Sequence, residues 1–260
     1  MSASSTELPL RTWLECNGAL LRLRLSRPKA NLVDAAMIGS LDAAFAEYRP
    51  AHGLRGVLLD AEGPHFSFGA SVAEHLPAQC ARMLASLHAL LLAMLDFPVP
   101  ILVAVRGSCL GGGLELALAG GPIFAAPDAQ FGQPEIRLGV IAPAASVLLP
   151  YRVSQPVAED LLLTGRSMPA AEAAACGLVQ ALADDPESAA LAWFDQHLQG
   201  KSATSVAYAL TAVRGQMLGD VRLRLAEVEQ LYLDRLMRTR DANEGLTAFL
   251  EKRQPAWSHH

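Results

Sequence analysis

Alternation is the first pattern along the chain. In LLRLRLSRP (residues 20–28), Leu21, Leu23 and Leu25 fall on one side and Arg22 and Arg24 on the other. Period two over this length predicts a half-buried strand. Asp34 then stands where it would cap a helix running to about Tyr48. GVLLD (56–60) and ILVAV (101–105) are short unbroken apolar runs and read as buried strands. Between them a helical pattern runs from Val72 to about Leu95, with Pro77 placed to break its early turns. GGGLELALA opens another helix, and short strands are expected near Ile123–Ala125 and Gln130–Gly132.

From about residue 144 helical patterns dominate: AEDLLLTG, PAAEAAACG, ESAALAWFDQHL, and the long stretch from Ser202 to Leu250. In that last stretch Val221, Leu225, Val228, Tyr232 and Leu236 recur at helical spacing. Strands alternating with helices, then helices alone, predict an α/β core followed by a helical appendage. The division is expected near residues 1–195 and 196–260. No fixed-period repeat is visible.

Composition sharpens this. The 260 residues suffice for a substantial core. Hydrophobic residues make up 52% and charged residues 18%, with a mean hydropathy of +0.25. So apolar a balance suggests surface buried between subunits. The net charge is −5 and no basic run occurs, which argues against nucleic acid as a partner. Asp96, Pro98 and Pro100 interrupt LHALLLAMLDFPVPILVAV, so it reads as a helix ending before a buried strand and not as a membrane span. MSASSTELPLRTW has no apolar core of an export signal. Cys16, Cys80, Cys109 and Cys176 form no CxxC pair, so neither disulfides nor zinc are expected, and a reducing cytoplasm is. His259 and His260 are set aside as resembling a tag remnant.

Two loops carry candidate chemistry. In HFSFGASVAEH (65–75), Ser71 and Glu74 have the spacing of a capping box, which leaves free N–H groups around Gly69 and Ala70. In RGSCLGGGLELA (106–117), three glycines let a ligand approach the backbone at a helix start. Converging on one oxygen, such N–H groups would form an oxyanion hole. Either loop alone reads first as an ordinary strand-to-helix turn. Glu115 lies on the first turn of an apolar helix, and Glu135 in GQPEIRLG. Buried carboxylates are costly unless paired or functional, and two beside an oxyanion hole suit general acid–base work. Taken singly, Glu115 reads first as a helix-dipole carboxylate and Glu135 as a surface residue near Arg137. Cys109 has no evident histidine partner and reads as a small buried residue. His65, His75 and His88 lack metal-ligand spacing, so no metal is expected.

FSFGASVAE, GSCLGGGLELALA, AQFGQPEIRLG and the closing GLTAFLEKRQP, in this order, closely resemble the crotonase (enoyl-CoA hydratase/isomerase) superfamily. The resemblance runs from RPKANLVD to the end. It implies a crotonase (ClpP-like) α/β fold, a right-handed spiral of ββα units with a C-terminal helical trimerisation region. It implies a homotrimer or hexamer acting on acyl-CoA thioesters, with coenzyme A as part of the substrate and no metal or redox cofactor. By this likeness Ala70 and Gly112 supply the oxyanion-hole N–H groups, and Glu115 and Glu135 are the paired hydratase acids. Lys29, Phe249 and Lys252 match coenzyme A-binding positions, the last two reaching a neighbouring subunit's ligand.

Two positions depart from the family pattern. Ser71 replaces an aspartate, and Pro143 stands where a glycine can offer its N–H to the water. FSFGAS, the GQPEIRLG…APAAS run and the C-terminus most resemble members that hydrate a conjugated cyclic dienoyl-CoA thioester in anaerobic benzoyl-CoA degradation. The alternatives are a short-chain enoyl-CoA hydratase of β-oxidation and a non-catalytic acyl-CoA-binding or oligomeric interaction protein.

Overall fold

The computed structural model describes residues 8–49 and 51–260. The N-terminal segment read above as lacking an export signal lies mostly outside them. β1 (Leu10–Glu15) and β2 (Leu20–Leu25) form an antiparallel pair, and α1 (Ala35–Tyr48) follows. Asp34 caps α1 as expected, its Oδ1 accepting from Met37 N at 3.0 Å. β3 (Gly56–Ala61), α2 (Cys80–Leu95), β4 (Ile101–Val105), β5 (Ser108–Leu110), α3 (Gly112–Ala119), β6 (Ile123–Ala125) and β7 (Gln130–Gly132) come next. Then come α4 (Pro143–Leu148), α5 (Gln155–Thr164), β8 (Ser167–Pro169), α6 (Ala170–Ala175), β9 (Ala181–Leu182) and α7 (Pro186–Phe194). The chain closes with α8 (Ala203–Asp234) and α9 (Arg240–Leu250).

The main sheet runs β1-β2-β3-β4-β6-β9 and is parallel apart from the first pair. Leu21, Leu23, Leu25, Val57, Leu59, Ile101 and Val103 point into the large core with α1 and α2. Leu20, Leu58, Leu102 and Phe124 fill the opposite face, under Ala190 and Phe194 of α7. With both faces covered, continuous apolar strands are what a parallel sheet demands. This corrects the half-buried reading of β2. Arg22 is buried, donating to Asp60 Oδ2 at 2.6 Å and to Glu15 Oε1 at 2.9 Å, and pairing with Glu187 of α7.

A second layer is built from the segments that follow the main strands. β5 pairs with β7, which pairs with β8. Ser67, beyond β3, bridges to Cys109 of β5. Phe66 N donates to Arg106 O and Ser67 N to Ser108 O. Each turn of the chain is thus a main strand, a short second-layer strand and a helix, the ββα repeat that the resemblance implies.

Other expectations change. The helix expected over 72–95 is two pieces, a 3-10 turn at Val72–His75 and then α2, with Pro77 between them. Ser71 makes no side-chain cap, and Glu74 Oε1 accepts instead from Ala35 N at 3.4 Å. The region after residue 144 also holds the short strands β8 and β9, and the stretch from Ser202 is broken at Arg235 into α8 and α9. The terminal histidines set aside above are docked: His259 N donates to Asp241 Oδ2, and His260 O accepts from Arg240 N. Among the described residues no helix is long and apolar enough to cross a membrane.

Candidate active site

The first loop is fixed by a knot of buried polar atoms. Asn31 accepts from Arg27 N at 2.9 Å and donates to the carbonyls of Glu62 and His65, both at 3.0 Å. The Asn31 carbonyl accepts from Ser67 Oγ at 2.8 Å, and Ser67 Oγ accepts from Gly69 N at 3.0 Å. Every polar atom of the knot is used, as burial requires. The segment it holds ends at Ala70.

α3 begins beside it. A Cβ built on Gly112 would lie 3.2 Å from Ala70 N, so the two backbones are in direct apposition. Neither the Ala70 nor the Gly112 N–H donates to an acceptor among the described residues. Two free amides, one at the positive end of a fully buried helix, are suited to an oxygen that gains charge.

Glu115 sits on the first turn of α3, 4% exposed. Its Oε1 accepts from Ala145 N at 2.9 Å, and Ala144 N also serves the carboxylate. Burial pushes its pKa up to about 7, against the pull of these two amides. Pro143 occupies the first turn of α4, where its ring presets the backbone and no intrahelical N–H is needed. The departure read as a lost donor therefore leaves the next two amides aimed at Glu115.

Glu135 reaches the site from a different support, the 3-10 turn Pro134–Leu138 that follows β7. Its Oε1 lies over Gly111, 2.6 Å from where a Cβ would stand. Gly111 has φ +51° and ψ −127°, a conformation that glycine alone takes without strain. The buried Gln133 amide, its nitrogen turned to Glu135, donates to Oε1 at 3.1 Å and Oε2 at 3.0 Å. Burial first, then the charge of Glu115, push the Glu135 pKa up to about 8. α9 packs on this turn and on Val72–His75. There Gly245 lets the helix meet the Leu138 carbonyl, at a spacing no side chain would tolerate.

The fold thus brings together Ala70, Gly112, Glu115 and Glu135. Lys29 is exposed, and the next carbonyl, Ala30 O, accepts from Phe68 N at 2.9 Å in the oxyanion loop. Phe249 and Lys252 lie exposed at the end of α9 and beyond it. Cys109 is fully buried, and burial pushes its thiol pKa up. His65 accepts from Ser108 N, His75 contacts Ser71 O, and His88 contacts Glu229; each has a structural partner. Sequence reasoning missed Asn31, Ser67, Gln133, Ala144 and Ala145. Only Gln133 left a signal, a polar residue two before Glu135 that directly follows the short strand Gln130–Gly132.

Residues 15–260 match the family model described as enoyl-CoA hydratase/isomerase. A cyclohexa-1,5-dienecarbonyl-CoA hydratase of Thauera aromatica is 61% identical over 98% of this chain and 99% of that protein. A carnitinyl-CoA dehydratase of Proteus mirabilis is 31% identical over 94% of this chain and 97% of its own length. The crystal structure of a carnitinyl-CoA hydratase from Mycobacterium avium superposes with a TM-score of 0.85 at 27% identity, covering 98% of this chain and 100% of that one.

Proposed function

The chain belongs to the enoyl-CoA hydratase/isomerase family, and we propose that it adds water to cyclohexa-1,5-diene-1-carbonyl-CoA, giving 6-hydroxycyclohex-1-ene-1-carbonyl-CoA. The observation that carries this reading is a pair of carboxyls in unequal surroundings beside two free amides. Glu115, held by Ala144 and Ala145, is the better anion, and Glu135, with the higher pKa, is the better acid. The 61% identity to the Thauera aromatica hydratase supports the choice of substrate.

The thioester oxygen accepts from the N–H groups of Ala70 and Gly112. Glu115 takes a proton from water, and the water oxygen bonds to the carbon β to the thioester. The displaced electron pair spreads through the diene onto the thioester oxygen, where the two amides stabilise it without reorganising. Protonated Glu135 delivers its proton to the far end of the diene. One O–H bond is broken, one C–O and one C–H bond are made, and one ring double bond remains. A proton passing from Glu115 to Glu135 through solvent resets the pair.

Coenzyme A enters as part of the substrate, and the mechanism calls on no resident metal or redox cofactor. Lys29 offers a cation to its phosphates. Phe249 and Lys252 reach the ligand of a neighbouring subunit in a homotrimer or hexamer. In this reading residues 1–195 form the catalytic unit and 196–260 the oligomerising one. The exposed Tyr208, Val213 and Leu223 of α8 support it, being apolar surface that a second copy would cover. The compartment is the cytoplasm, in keeping with four free cysteines.

The test is a side-by-side assay with cyclohexa-1,5-diene-1-carbonyl-CoA and crotonyl-CoA, with water addition followed by mass. A higher kcat/KM on the diene is expected. Equal or greater efficiency on crotonyl-CoA would overturn the substrate and point to a short-chain enoyl-CoA hydratase.

A further inference from the structure

Tyr232 is a polar group that the mechanism above leaves unused. It sits on α8 in the apolar stripe with Val221 and Leu225, and it is completely buried. Its hydroxyl is shielded from solvent and has no hydrogen-bond partner among the described residues. A buried hydroxyl without a partner is costly, and phenylalanine would fill the same space without that cost. An orphan of this kind calls for an explanation.

The surroundings supply one. α8 packs on α4, the helix whose Ala145 holds Glu115. Burial first, then the nearby Cys80, Glu135 and Glu115, hold the Tyr232 pKa above the usual phenol range. The hydroxyl therefore lies within electrostatic reach of both acids and stays neutral, able to donate and accept.

We propose that Tyr232 is a further substrate-contacting residue of this site: its hydroxyl takes as partner the oxygen being transferred, first the water between Glu115 and Glu135 and then the new ring hydroxyl. This rests on the hydratase reading. It gives the helical C-terminal region a direct part in recognising the product. The contact exists only when that oxygen is present, so it discriminates hydroxylated from unhydroxylated acyl groups.

Binding of 6-hydroxycyclohex-1-ene-1-carbonyl-CoA and of cyclohex-1-ene-1-carbonyl-CoA is measured on Glu115→Gln, which suppresses turnover, with and without Tyr232→Phe. The proposal expects Tyr232→Phe to weaken the hydroxylated ligand about tenfold and the other less than about twofold. In the otherwise native protein, Tyr232→Phe should lower kcat about tenfold while the melting temperature holds or rises. An unchanged affinity ratio together with unchanged kcat would overturn the proposal and leave Tyr232 a packing residue. Turnover of the diene by the unsubstituted protein tests the hydratase reading separately. If crotonyl-CoA is the better substrate, the same affinity ratio measured with 3-hydroxybutyryl-CoA and butyryl-CoA decides the role of Tyr232.

Discussion

Glu115 and Glu135 meet at one site from opposite kinds of support. Glu115 rides on a fully buried helix and is gripped by backbone amides of the next one. Glu135 hangs from a single 3-10 turn, is touched by one side-chain amide, and depends on α9 packing behind it. The same side chain thus acquires two protonation preferences from two scaffolds. Backbone donors favour the anion, and burial beside a charged neighbour favours the acid.

The hardest test removes one carboxyl at a time. Glu115→Gln and Glu135→Gln should each lower kcat by roughly 10² to 10⁴ while acyl-CoA still binds. The two should differ in their pH–rate profiles. The native profile should be bell-shaped, rising through about 7 as Glu115 ionises and falling through about 8 as Glu135 loses its proton. Glu115→Gln should abolish the acid limb in the residual rate, and Glu135→Gln the alkaline limb. Identical residual profiles would erase the distinction between the two supports.

A smaller disturbance acts through Gly111. Gly111→Ala places a methyl 2.6 Å from Glu135 Oε1 and strains the start of α3. It should cost about a hundredfold in kcat, a loss within the range expected when a reacting group is displaced by about 1 Å. Gln133→Leu removes the side-chain donor to Glu135 without touching Glu115. It should lower kcat about tenfold and move the alkaline limb upward, because the lost hydrogen bond favoured the anion. A shift of the acid limb instead would mean that Gln133 serves the other acid.

The smallest effect is on stability. Both folded-state pKa values lie above that of a free glutamate, so the folded chain holds more protons than the unfolded one between those limits. The resulting stabilisation is complete below the unfolded value and is lost as pH rises through about 7 and 8. Glu135→Gln should therefore raise the melting temperature at pH 9 relative to the native protein, and by much less at pH 5. An equal change at both values would show that Glu135 ionises freely in the fold.

What was legible in the chain was what its neighbours in sequence decide. Unbroken apolar runs marked β3 and β4, and an acid within an apolar helix marked Glu115. The burial of Arg22 was not legible, because its cover comes from Glu187 and α7, 165 residues along the chain. The meaning of Pro143 was hidden in the same way. A missing N–H is visible in sequence, but which of the following amides turns toward Glu115 depends on how α4 docks against α3. The split of the helix expected over 72–95 turned on Pro77, whose break was visible and whose extent was not.

The second-layer stack acts as a ruler. Ser67, Cys109 and Phe131 sit on successive rungs, so the three segments that lead to the Ala70 amide, the Gly112 amide and the Glu135 turn start out spaced by the pitch of the peptide hydrogen bond, about 4.8 Å per rung. Side-chain exchange can change which groups stand on those rungs, and hence which acyl shapes are accepted and which atom receives the proton. It cannot change the interval between them. One residue inserted into any of the three segments would shift a rung out of step and separate the oxyanion donors from the acids, even with every catalytic side chain intact.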